Sequence, residues 1–203
     1  MSAFHVGFPR AGGENRVRTE AVAQMELALE TDPLSVVLRY TLGRVLALAE
    51  SPERAIEEWR KAMEIDETFW LLWGAAGSAY AKMGQMELAL DALDTAYELA
   101  RPRQPWVLGS LAGIYHKLGD KGQSEKMLTE LRTGCHPDLV WFGLTLYHCL
   151  CREFEKAADA LEKAIEAQDP MAHLAGFDYN LEGVRCLPRW PDLARKLNVP
   201  AMR

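Results

Sequence analysis

At 203 residues, with 49% hydrophobic and 26% charged side chains, the chain can bury a substantial core and is too apolar for global disorder. Its net charge of −6 argues against nucleic acid as the main ligand, because duplex binding needs a basic footprint. No stretch approaches ~18 uninterrupted apolar residues, so no membrane span is read. Met1 to Arg18 lacks the basic and apolar regions of a signal peptide, and four cysteines read as reduced thiols point to a cytoplasmic protein.

In chain order, His5 to Glu14 is rich in glycine and carries Pro9, so residues 1–17 read as an irregular segment. Ala21, Met25 and Ala28 then set an apolar helical phase that Pro33 closes. The same phase returns 34 residues later as Ala55, Trp59 and Ala62, preceded by Leu42-Gly43 and Leu46. It returns again, 34 residues on, as Ala76-Gly77, Tyr80, Ala89, Leu93 and Ala96. Ser51-Pro52-Glu53 reads as a helix start, with Ser51 as cap and Pro52 in the first turn. Gly84 reads as a helix end.

From Tyr80 to Tyr115 and from Gly84 to Gly119 the spacing is 35, so one residue is inserted near Arg101-Pro102-Arg103. The third unit reads Leu108, Leu111-Ala112, Tyr115, Ser124, Leu128 and Leu131. Ser124 and Leu131 replace alanines, which predicts a wider helix pair. The fourth is spaced at 33, with Trp141, Leu144, Thr145, His148, Ala157, Leu161 and Ala164, and stops at Asp169-Pro170. A fixed period of this length marks stacked helix pairs, none of which can bury its apolar face alone. Leu174 to Leu197 remains too apolar for a free tail, so residues 171–203 read as a terminal cap.

These residues resemble the tetratricopeptide repeat (TPR) over roughly residues 18–170, one half plus four full repeats. The resemblance implies an all-α, right-handed TPR-type helical-hairpin solenoid with a C-terminal helical cap and nine or so main helices. Arg39 stands where the repeat has a bulky apolar residue. The closing run Arg189-Trp190, Leu193-Ala194-Arg195-Lys196-Leu197 and Pro200 is similar to the ends of TPR arrays in bacterial multidomain regulators.

In such arrays the first helices line a concave groove. The resemblance places Tyr40, Arg44, Ser78, Lys82, Trp106, His116, Lys117 and Phe142 on it. Arg44, Lys82 and Lys117 would select an acidic partner segment or one with a free C-terminus, and Tyr40, Trp106 and Phe142 would anchor it. Gly74, Gly109 and Gly113 would let its backbone approach. The implied function is a protein–protein interaction module without catalysis. An alternative is the C-terminal sensor or scaffold part of a larger bacterial regulator that docks a domain in cis. The chaperone-tail clamp of some TPR domains needs groove asparagines, and Asn15, Asn180 and Asn198 all lie outside the repeats.

Trp59, Trp73 and Trp141 fall on packing phases and are expected in the core. Cys135, Cys149, Cys151 and Cys186 lack metal-knuckle spacing, so free thiols and no bound metal are expected. Cys149 and Cys151 point about 200° apart on a helix. No phosphate loop, zinc-protease helix or nucleophile elbow occurs, so no cofactor and no enzyme activity are expected.

Overall fold

The computed structural model describes residues 11–49, 51–176 and 178–199. Among them there is no strand, and the chain is an all-α series of helical hairpins. It divides into two units, Met1–Asp66 and Glu67–Arg203. The first holds α1 (Ala11–Thr31), α2 (Val36–Leu48) and α3 (Pro52–Met63). The second holds the pairs α4 (Trp70–Lys82) and α5 (Met86–Leu99), α6 (Pro105–Lys117) and α7 (Lys121–Gly134), and α8 (Val140–Leu150) and α9 (Phe154–Glu166). A 3-10 helix at Pro170–Gly176, another at Tyr179–Leu181, α10 (Glu182–Arg185) and α11 (Trp190–Leu197) complete it. Among the described residues nine helices reach eleven residues or more, the number the repeat phase implies.

In the first unit α1 begins at Ala11, inside the segment expected to be irregular. Once nucleated, a helix gains a hydrogen bond per added residue, which carries it through Gly12-Gly13. The rest of that expectation, residues 1–10, lies outside the described residues. Leu42, Leu46, Ala55, Trp59 and Ala62 are each 2% exposed or less. Gly43 and Trp59 are complementary: a Cβ on Gly43 would lie 2.2 Å from the indole nitrogen. That nitrogen donates to the Tyr40 carbonyl at 3.1 Å.

Arg39 fills its apolar position with a shielded ion pair. Its guanidinium meets Glu58 at 2.8 Å and also donates to the Pro33 carbonyl at 2.9 Å. Ser51 occupies the N-cap of α3, but its hydroxyl makes no capping bond, contrary to expectation. Its carbonyl accepts the Ala55 N–H instead.

In the second unit α4, α6 and α8 end on one motif. Gly84 (φ 78°), Gly119 (φ 84°) and Arg152 (φ 61°) take the left-handed conformation. The next N–H in each case returns to the carbonyl five residues back: Gln85 to Tyr80, Asp120 to Tyr115, Glu153 to His148. The shifts of register seen in the sequence are therefore real, and the inserted residue falls in the loop that carries a cis Arg101–Pro102 bond. A left-handed residue with a Cβ costs roughly 1–2 kcal/mol, part of which glycine returns through its freer unfolded chain. Arg152→Gly is expected to raise stability by about 0.5–1 kcal/mol. A thermal melt checks this, and a lowered Tm would contradict it.

Between α4 and α5, a Cβ on Gly77 would lie 2.6 Å from Leu93 Cγ and 3.1 Å from the Ala89 carbonyl oxygen. The two helices nearly touch there, as the period implies, and Ala89 is fully buried. Ala89→Leu should overpack the pair and cost about 1–3 kcal/mol. An unchanged denaturation midpoint would show that the register is wrong. Ser124, in place of alanine, is buried and donates to the Ala112 carbonyl at 2.9 Å. Thr145 likewise donates to the Trp141 carbonyl at 2.9 Å. Of the three repeat-phase tryptophans only Trp59 is fully buried. Trp73 and Trp141 are half-buried against the core, Trp73 donating to the Glu67 carbonyl and Trp141 lying under Lys163.

The C-terminal segment closes over α9 with Trp190, Leu193, Ala194 and Leu197, none more than 2% exposed. Arg189 reaches Asp159 at 2.6 Å and Glu162 at 2.9 Å, and Lys196 also meets Glu162. These cations hold the Glu162 carboxyl below its ordinary range, the Lys196 hydrogen bond contributing most.

Candidate peptide-binding face

The first helices of the pairs carry the residues singled out in the sequence. In the first unit Tyr40 and Arg44 stand one turn apart on α2. The Arg44 guanidinium lies 6.0 Å from the Tyr40 ring centre and donates to its hydroxyl at 3.4 Å. This sets aromatic surface and positive charge side by side.

In the second unit Ser78 and Lys82 stand one turn apart near the end of α4, with Lys82 exposed. His116 and Lys117 close α6 and are exposed, the His116 ring 6.2 Å from Tyr147 of α8 in an edge contact. Lysines at helix C-termini also complement the helix dipole, which accounts for their local placement.

Two expected anchors are placed differently. Phe142 is 2% exposed, inside the cluster formed by α8, α9 and the C-terminal segment. Trp106 lies on Gly74, where a Cβ would come within 2.3 Å of its ring edge, and 5.8 Å from the Trp70 ring. It packs α6 against α4. The three glycines expected to admit a ligand backbone are also filled. Gly74 holds Trp106, Gly109 faces the Gly143 carbonyl of α8, and Gly113 faces Leu150. The reason is common to all three: a first helix packs on the next first helix as well as on its own partner, and the small residues serve that contact.

Residues 171–203 are expected from the sequence as a terminal cap, but part of that segment also lies on this face. Tyr179–Leu181 packs against both α4 and α8, and Glu182 forms an ion pair with Lys82 across 100 residues of chain. The lysine holds the Glu182 carboxyl below its ordinary range. Leu181 is fully buried. Asn180 borders a small gap with Ser78, Ala81, Ser110, Ile114 and Leu146. Behind the segment Cys149 is 7% exposed, and burial, with Asp178 nearby, pushes its thiol up to about 12. Only the Asp178-x-Asn180 turn, in which Asp178 accepts the Asn180 N–H at 2.8 Å, is a local signal that this stretch is structured.

Residues 72–102, which span α4, α5 and the turn between them, match the family model described as tetratricopeptide repeat. That stretch carries a tetratricopeptide repeat. Solved structures place the fold in the same group. MamA is similar with a TM-score of 0.56 at 20% identity, covering 82% of this chain and 99% of that one. YrrB, described as a TPR protein with an unusual peptide-binding site, gives 0.52 at 17%, covering 85% and 86%. A chain of the APC/C hetero-tetramer Cut9–Hcn1 gives 0.58 at 15%, covering 92% of this chain and 34% of that one. Among curated proteins, the general transcriptional corepressor trfA of Dictyostelium discoideum is 25% identical over 124 residues. That match takes in 61% of this chain and 9% of the corepressor, so the chain spans a small part of its relative's length. No helix among the described residues is long and apolar enough to cross a membrane.

Proposed function

We propose that the chain is a non-catalytic protein–protein interaction module of the cytoplasm that takes an acidic segment of a partner on the first helices of its repeats. The observation that carries this reading is the Lys82–Glu182 pair. This face already accommodates a short stretch of polypeptide, with a carboxylate on a groove lysine. Tyr40 with Arg44 in the first unit, and Ser78, Lys82, His116 and Lys117 in the second, are the proposed contact residues. Trp106 and Phe142 support the face from beneath. A partner carboxylate of a side chain or of a free C-terminus would meet the same lysines. YrrB is described as having a peptide-binding site and Cut9–Hcn1 as a hetero-tetramer, which accords with this class of function.

The test selects the tightest binder from a peptide library on the purified full chain and measures it against Lys82→Glu/Lys117→Glu. Affinity for an acidic binder is expected to fall at least about tenfold at low salt, with Tm little changed, because exposed ion pairs contribute little to stability. Equal affinity for wild type and variant would place the interface elsewhere.

A further inference from the structure

The stretch from Asp178 to Arg185 does not continue the repeat. It is a 3-10 turn followed by a four-residue helix, and many of its bonds are its own. Asp178 accepts from the Asn180 backbone and side chain at 2.8 and 3.0 Å, and Arg185 donates to the Asp178 and Ala175 carbonyls at 2.6 and 3.1 Å. Toward the repeats it offers a leucine and a carboxylate. Leu181 enters the cluster that contains Phe142, Leu146 and Cys149, and Glu182 takes Lys82. Phe142 of α8 and Lys82 of α4 are among the positions that TPR resemblance assigns to a ligand. A self-organised turn with one apolar and one acidic contact is the form a bound peptide would take.

We propose that residues 178–185 are a built-in occupant of this face, and that an acidic, leucine-bearing partner segment binds in competition with them. This rests on the reading of the face as a peptide-binding surface and adds to it the chemistry of the partner and a regulation by the chain itself. Affinity for an external segment then depends on how firmly the internal one is held. The charge pair at the exposed edge, where Glu182 is 66% and Lys82 44% exposed, is the point at which exchange begins.

Cys149 lies behind the segment and reports its departure. Alkylation at Cys149 is followed by mass spectrometry in the full chain, in Glu182→Lys, and in the charge swap Lys82→Glu/Glu182→Lys. Labelling at Cys135, far along the chain from this contact, serves as the control for general unfolding. Glu182→Lys is expected to label Cys149 about threefold to tenfold faster, the range a broken exposed pair and a new repulsion would give. The swap should return to the wild-type rate. A synthetic peptide of residues 178–185, Asp-Tyr-Asn-Leu-Glu-Gly-Val-Arg, should slow labelling of the Glu182→Lys chain by refilling the face. The proposal is overturned if Cys149 labels at the wild-type rate in Glu182→Lys, or if the peptide leaves the accelerated rate unchanged. A library peptide that still loses affinity on Lys82→Glu/Lys117→Glu would then preserve the binding face while the competition is discarded.

Discussion

Gly109→Ala is expected to destabilise the chain by about 3 kcal/mol or more, at the upper end of overpacking effects. A Cβ there would stand 1.9 Å from the Gly143 carbonyl oxygen, and one on Gly143 would stand 2.4 Å from the Pro105 carbonyl oxygen. Both obstacles are backbone, so no side-chain rotation relieves them and α6 and α8 must separate. Gly122→Ala provides the matched control. It is exposed in the first turn of α7, with its nearest neighbour, Asp120 Oδ1, at an ordinary 3.6 Å. Helix propensity alone should make that change neutral or stabilising by up to about 1 kcal/mol. Chemical denaturation of the two variants side by side decides it. Equal stabilities would mean that α6 and α8 are not in backbone contact.

Trp106→Ala is expected to cost about 3 kcal/mol, the low end of the range for removing a large aromatic from packed surroundings. The half-buried indole fills the space left by Gly74 and borders Trp70, so its removal opens a gap between α4 and α6. A binding anchor would behave in the opposite way. Denaturation would be unchanged and only partner affinity would fall. That second pattern would return Trp106 to the open face.

The contrast between these residues shows what the sequence could convey. Gly77, Ala89, Leu93 and their counterparts repeat because one hairpin must close on itself within some twenty residues. The constraint is local and periodic, so it shows as a period. The turns at Gly84, Gly119 and Arg152 show it too, since their 35- and 33-residue spacings track the insertions. Which first-helix positions stay open was not legible. Phe142 and Trp106 lie at phases where a free array would expose them, but Phe142 is covered by the C-terminal segment and Trp106 is taken up by Gly74. The first of these covers comes from chain outside the repeat, and a contact such as Lys82–Glu182, 100 residues apart, leaves no mark on a local pattern. Arg39 was visible as a departure from the repeat, yet its compensation by Glu58 and the Pro33 carbonyl required the fold.

A partner segment is expected to lie on the first helices. Photo-crosslinking tests it most directly. The tightest library peptide, carrying a photoreactive residue beside its acidic side chain, is irradiated with the full chain, and the attachment sites are read by mass spectrometry. Attachment is expected on α2 around Tyr40 and Arg44 or on the ends of α4 and α6 around Ser78, Lys82, His116 and Lys117. Attachment confined to the outer surfaces of α3, α5, α7 and α9 would contradict the claim.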